Sequence, residues 1–204
     1  MTQRLRFAHR ISGAIIGLFV LLHFANHAGL FWGVDDHIRL MNTLRPIYRN
    51  SVSEIMLLLA IGFQMVSGLT MLWRRRRHIS GFVGWLQSGS GLYLLLFLLV
   101  HLGAVFQARL SDGTDTNIYF AVAGYYAGLS AVFTPYYFLA VTAIAAHVGC
   151  GLYWILAQGG RGNRSVLAAC LIAGTVFAAA LTIKMAGWVD PINVPQPYLA
   201  KFAQ

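Results

Sequence analysis

Five long apolar runs constrain this chain more than anything else in it. They lie near residues 11–31, 52–73, 86–108, 128–157 and 165–188. A helix that crosses the hydrocarbon core of a bilayer needs about 20 mostly apolar residues. Each run meets that length. The expected fold is all-α and membrane-integral: a bundle of five transmembrane helices forming one domain over 1–204. Composition agrees, with 58% hydrophobic and 10% charged residues, whereas soluble domains carry about 25% charged residues. An ordinary soluble enzyme and a disordered chain are both excluded. No small-residue cleavage site follows the first run, so it reads as a helix that stays and not as a cleavable signal.

Orientation follows from the basic residues. One set of loop ends carries Arg4, Arg6, Arg10, the run Arg74–Arg77, Arg161 and Arg164, and no acid. The other set carries Arg39, Arg45, Arg49, Arg109, Lys184 and Lys201, balanced by Asp35, Asp36, Glu54, Asp112, Asp115 and Asp190. The whole net charge of +9 therefore falls on one face. Positive charge marks the cytoplasmic side. The N-terminus is expected inside and the C-terminus outside, in an inner (cytoplasmic) membrane of bacterial type. A pI near 10 then reports topology, and no nucleic acid partner is expected. The Arg run reads first as a topology anchor, and also as a patch for an acidic partner or anionic lipid. Cys150 and Cys170 have no metal-ligand spacing and read as membrane-buried free thiols.

Ionisable side chains at membrane depth are costly and tend to be functional. Three histidines fall deep inside spans: His23, His101 and His147. At about 1.5 Å per residue, His23 and His101 both lie roughly 10–12 Å below the outer boundary. Two imidazoles at one depth on two helices are what a bis-imidazole haem requires. His147, on the fourth span, shares an inner depth with Gln64 on the second. A carboxamide is a poor iron ligand, so the inner level holds either no haem or a haem with one strong ligand. Met65, next to Gln64, points about 100° away and cannot share its site. The plainer role for all of these is interhelical hydrogen bonding. His27 lies one turn beyond His23 on the same face. It is an alternative ligand to His23, or a partner for a haem propionate or a quinone.

The residues around these histidines resemble a known group. His9-Arg10-Ile11-Ser12-Gly13 followed by Leu22-His23, and Leu86-Gln87 with Gly91 and Val100-His101-Leu102, are similar to the first and third helices of the diheme cytochrome b anchors of succinate dehydrogenases and fumarate reductases in their five-helix form. Gln64-Met65-Val66-Ser67-Gly68 and Ala146-His147 with Gly151-Leu152-Tyr153 match the second and fourth. The resemblance covers roughly residues 5–188. It implies an electron-transfer subunit that exchanges electrons between a membrane quinone and a cytoplasmic flavoprotein with an iron–sulfur subunit. It implies haem b, with His23 and His101 on the outer haem, and His147 with the position of Gln64 on the inner one. One of the four ligand positions therefore departs from the pattern. It also makes His9, Arg10 and Ser12 candidates for a quinone site, against plainer roles as an interfacial pair and a serine bonded to its own helix.

The loops and the absences complete the reading. Arg45 and Arg49 precede the second span and suit haem propionates, because Arg binds carboxylates bidentately. Pairing of that loop's charges with Asp35 and Asp36 is the alternative. The segment 109–127 turns aromatic in its second half and suits a short interfacial helix. The tail from Asp190 reads as extended. There is no phosphate-binding glycine loop, nucleophile–His–acid set, HExxH or cysteine cluster. No acidic relay crosses the membrane, which argues against a pump. Two other classes stay open: a non-catalytic haem sensor, and a haem-free membrane scaffold or transporter.

Overall fold

The computed structural model describes residues 3–157 and 162–202. Arg161, one of the basic residues in the charge argument, lies outside them. The described chain is all-helical, with 87% of it in helix and no strand. Five stretches are long and apolar enough to cross a membrane: Gln3–Phe31, Ser51–His78, Gly81–Ser111, Ile118–Ile155 and Arg164–Met185. They correspond to the five apolar runs, and the apolar helices mark a multi-pass membrane protein in contact with lipid. The first begins well before residue 11, because Gln3–Arg10 continues the helix with basic residues at its end. Among the described residues the chain divides into two compact units, 1–79 and 80–204.

Unit one holds α1 (Gln3–Ala28), α2 (Val34–Tyr48) and α3 (Ser51–Arg75). Helices α1 and α3 pack on each other, and α2 rests on the C-terminal end of α1. The segment 32–51, read as a loop, is mostly this helix. Asp35 and Asp36 lie in its first turn, where the helix dipole favours acids. Asn50 then caps α3, accepting the amide N–H of Ser53 at 3.0 Å. Gly29 is what lets α2 come so close. A Cβ there would sit 3.3 Å from the His37 Cα.

Unit two holds α4 (Gly81–Phe106), α5 (Ile118–Gly124), α6 (Ser130–Ile155), α7 (Arg164–Met185) and the short α8 (Gln196–Leu199). Helix α6 is its centre, packed on α4 and α7. Its buried side is built of small residues: Ala140, Ala143, Ala146, Gly149 and Cys150. Small residues let membrane helices approach closely. The fourth apolar run starts earlier than residue 128. A helical turn at Tyr125–Leu129 joins α5 to α6, with Gly128 at φ 85° making the kink. Pro135 lies in the first turns of α6 and does not end it. The expected short helix after residue 109 is α5. The tail is extended from Pro191 to Pro195 and then forms α8. It is tied down, with the Ile192 N–H donating to the Tyr126 hydroxyl at 2.6 Å and Lys201 pairing with Asp112 at 2.8 Å. Both cysteines are free thiols.

Candidate functional site

Three groups of polar side chains lie within the apolar helices, two in unit one and one in unit two. The first joins the N-terminal half of α1 to α3. Gln64 is at its centre. The Ser12 hydroxyl donates to Gln64 Oε1 at 2.6 Å, and the Gln64 amide donates to His9 Nε2 at 3.0 Å. With Nε2 accepting, the His9 proton resides on Nδ1, which donates to Ser67 Oγ at 2.7 Å. The Ser67 hydroxyl is in turn 3.3 Å from the Gln64 carbonyl. Both serines are buried, Ser12 at 7% and Ser67 at 2% exposure. Two glycines fit around the group. A Cβ on Gly13 would meet Gln64 Nε2 at 3.3 Å, and one on Gly68 would meet His9 Cε1 at 3.4 Å. A buried polar group without a partner is expensive. Here each of the four side chains has a partner, with the one Ser12 proton shared between Gln64 Oε1 and the His9 carbonyl.

This arrangement engages two of the three quinone candidates. Ser12 does bond its own helix, at 3.1 Å to the His9 carbonyl, but it also reaches across to Gln64. Arg10 is exposed and takes no part in the group.

The second group lies at the other end of α1. His23 and His27 face one another with Nε2 to Nε2 at 3.2 Å. His27 also lies against His37 of α2, ring centroids 5.3 Å apart. His37 is 1% exposed and Asn26 is 4%. The Asn26 amide donates to His37 Nε2 at 3.4 Å. Asn26 Oδ1 and His37 Nδ1 have no hydrogen-bond partner among the described residues. Burial holds the His37 pKa down at about 4, so this imidazole is neutral at physiological pH. Sequence reading passed over both residues. His37 sits in a segment read as a loop, and only its place one turn inside an amphipathic helix would have signalled burial. Of the loop arginines, Arg45 contacts Met41 Sδ at 3.1 Å, while Arg39 pairs with Asp36. The latter follows the alternative reading of the loop charges.

The third group belongs to unit two. His147 of α6 donates from Nδ1 to the Gln87 carbonyl of α4 at 3.2 Å, with Ser90 Oγ 3.4 Å away. Gly91 leaves space for the ring, since a Cβ there would lie 2.9 Å from His147 Cε1. With its proton on Nδ1, the imidazole keeps the lone pair on Nε2. This is the tautomer and the backbone anchor usual for a metal-ligating histidine.

His23 and His101 share one local feature. Each has a phenylalanine four residues earlier, stacked on the imidazole. Phe19 and His23 have centroids 5.6 Å apart at 20°, and Phe97 and His101 have centroids 5.1 Å apart at 14°. The spacing is the i, i+4 neighbour relation of a helix, and it fixes the plane of each ring. Phe97 also touches Tyr136, whose carbonyl accepts the Tyr93 hydroxyl at 2.9 Å. Among the described residues no group of three or more His, Cys, Asp or Glu side chains is placed to hold a bare metal ion. A haem needs only one imidazole on each side of its iron. Comparison with known proteins gives no family model, no curated relative and no solved structure that matches the chain.

Proposed function

We propose that this chain is a membrane cytochrome b that exchanges electrons with a quinone, and that His23 and His101 would be the imidazoles that hold its haem b. The observation that carries the reading is the paired Phe–His stack. Each histidine lies about 8–10 residues before the end of its apolar stretch, and each ring is held by a phenylalanine one turn earlier. The N-terminus is inside and the C-terminus outside in this reading, which puts both histidines in the outer half of the bilayer.

The donor set suits the group at this level. Imidazole is the ordinary haem b ligand, and a stacked phenylalanine restricts each ring to few orientations, so little freedom is lost on ligation. A bound haem supplies one-electron transfer, and a quinone carries two electrons. Phe19 and Phe97 orient the imidazoles. Arg45 and Arg49, near the end of α2, are the cationic side chains for the propionates, whose charge needs such partners in an apolar surrounding. His27 holds His23 through the 3.2 Å contact. Were His23 to hold the haem through Nε2, that contact would open and His27 would be placed to bond a propionate or a quinone oxygen. Gln64 does not fit a ligand role, since its carboxamide is already bonded at both ends.

The Arg74–Arg77 run is exposed. It is the docking surface for an acidic partner, as a flavoprotein with an iron–sulfur subunit would be, or for anionic headgroups.

The test is the haem content of the purified protein by reduced pyridine spectrum. Haem in the parent chain, lost in both His23→Ala and His101→Ala while the chain stays folded, is the expected result. A well-folded chain with no haem band overturns the reading and leaves the scaffold or transporter class. Loss in His27→Ala with retention in His23→Ala moves the ligand one turn along α1.

A further inference from the structure

The outer pair accounts for one haem, and the polar group on the N-terminal half of α1 bears on whether there is a second. We infer that Gln64, His9, Ser12 and Ser67 form a closed hydrogen-bonded clasp between α1 and α3, and that haem is therefore held at the outer level alone. The single-haem part of this inference rests on the function proposed above; the clasp itself does not.

Three observations converge. Both ends of the Gln64 carboxamide are engaged, the oxygen by Ser12 at 2.6 Å and the nitrogen by His9 at 3.0 Å. His9 is held on its second nitrogen by Ser67 at 2.7 Å, so its imidazole cannot turn to an iron without breaking two bonds at once. The space at Gly13 and Gly68 that could admit a flat macrocycle is taken by Gln64 and His9 themselves. Ser12, Gln64 and Ser67 lie within the apolar stretches, where little water is at hand to replace such bonds, so opening the group leaves polar atoms unpaired there. Neither Gln64 nor His9 is then open to an iron.

The consequence concerns where redox chemistry occurs. The hydrocarbon core is about 30 Å thick. A haem centred roughly 12–15 Å below the outer boundary would leave roughly 15–18 Å to the inner one. Electron tunnelling weakens exponentially with such a gap. A chain holding haem at this level alone would pass electrons between a quinone and a redox partner that both reach the outer half, and would not conduct them across the membrane; the Arg74–Arg77 face would then serve anionic headgroups and not the electron partner. The protons released or taken up by that quinone then exchange with the outer face.

Two measurements on the full-length purified chain test this. The first is haem per chain by reduced pyridine spectrum, in the parent and in His147→Ala. One haem, retained in His147→Ala, is expected. Two haems, one of them lost in His147→Ala, overturns the single-level assignment. A folded chain without haem overturns the proposed function and with it the single haem, and the clasp is then judged on the second measurement. That measurement is the melting temperature of Ser12→Ala, Gln64→Leu and the double variant. Each single change is expected to lower it by a few degrees, and the double by clearly less than the sum, as for two members of one network. Strict additivity overturns the clasp.

Discussion

The two ends of α1 use the same kinds of residue and reach opposite results. At the N-terminal end His9, Ser12, Gln64 and Ser67 pair donor to acceptor. At the C-terminal end His23, His27, His37 and Asn26 crowd together, and Asn26 Oδ1 and His37 Nδ1 have no hydrogen-bond partner among the described residues. An unpaired buried polar group costs about 1–3 kcal/mol. The closed end has little to gain from a ligand. The other end carries that cost and has imidazole nitrogens near one another. What separates the two is pairing and not polarity, so a histidine at membrane depth says little until its partners are known.

The largest expected effect that would break this contrast is at His37. His37→Ala removes a large, fully buried side chain beneath α2 and is expected to cost about 2–4 kcal/mol, read as a lower melting temperature in detergent micelles. An unchanged melt would mean that α2 is not anchored there. Next is acid. Folding lowers the His37 pKa from 6.5 to about 4, so the unfolded chain binds the extra proton between those values. Stability should fall as pH drops from about 6.5 to about 4 and then lose this dependence, and His37→Phe should flatten that part of the profile. Smaller again is the closed end. Gln64→Leu is expected to cost about 1–2 kcal/mol, the range of hydrogen bonds between membrane helices. The smallest effect compares two glycines of α1. Gly13→Ala presses on Gln64, whereas Gly17 has open space around it. Gly17→Ala should be neutral or stabilise slightly, by about 0.5–1 kcal/mol, and Gly13→Ala should fall below it in melting temperature. Equal melts would mean that the network gives way freely.

Much of the fold was legible because apolar length is a property of the chain alone. All five spans, the helix after residue 109 and the free cysteines follow from composition and punctuation. Helix α2 was not, because Asp35, Asp36, Arg39, Arg45 and Pro46 make it read as a loop. Its apolar side shows only when Ile38, Met41 and Tyr48 are followed at helical spacing. The burial of His37 depends further on Gly29, a residue with no side chain to signal the approach of another helix. At the candidate site the sequence placed His23, His101 and His147 at membrane depth and marked Gln64 as the odd ligand position. It did not reveal the bonds that occupy Gln64. A serine in a membrane helix ordinarily bonds its own backbone, and Ser12 and Ser67 both do so while also reaching across. Nothing in a single sequence tells those two uses apart.

The anchored tail has a consequence for how the molecule is assembled. Ile192 and Lys201 close on Tyr126 and Asp112, residues made long before them. Between the two sets lie α6 and α7, which must both enter the bilayer before the tail can reach its contacts. The end of unit two therefore stays open until residues 192–201 have been made. Chains that stall or are clipped before Ile192 would carry all five apolar helices and still lack that latch, and a protease should discriminate them from chains that hold it.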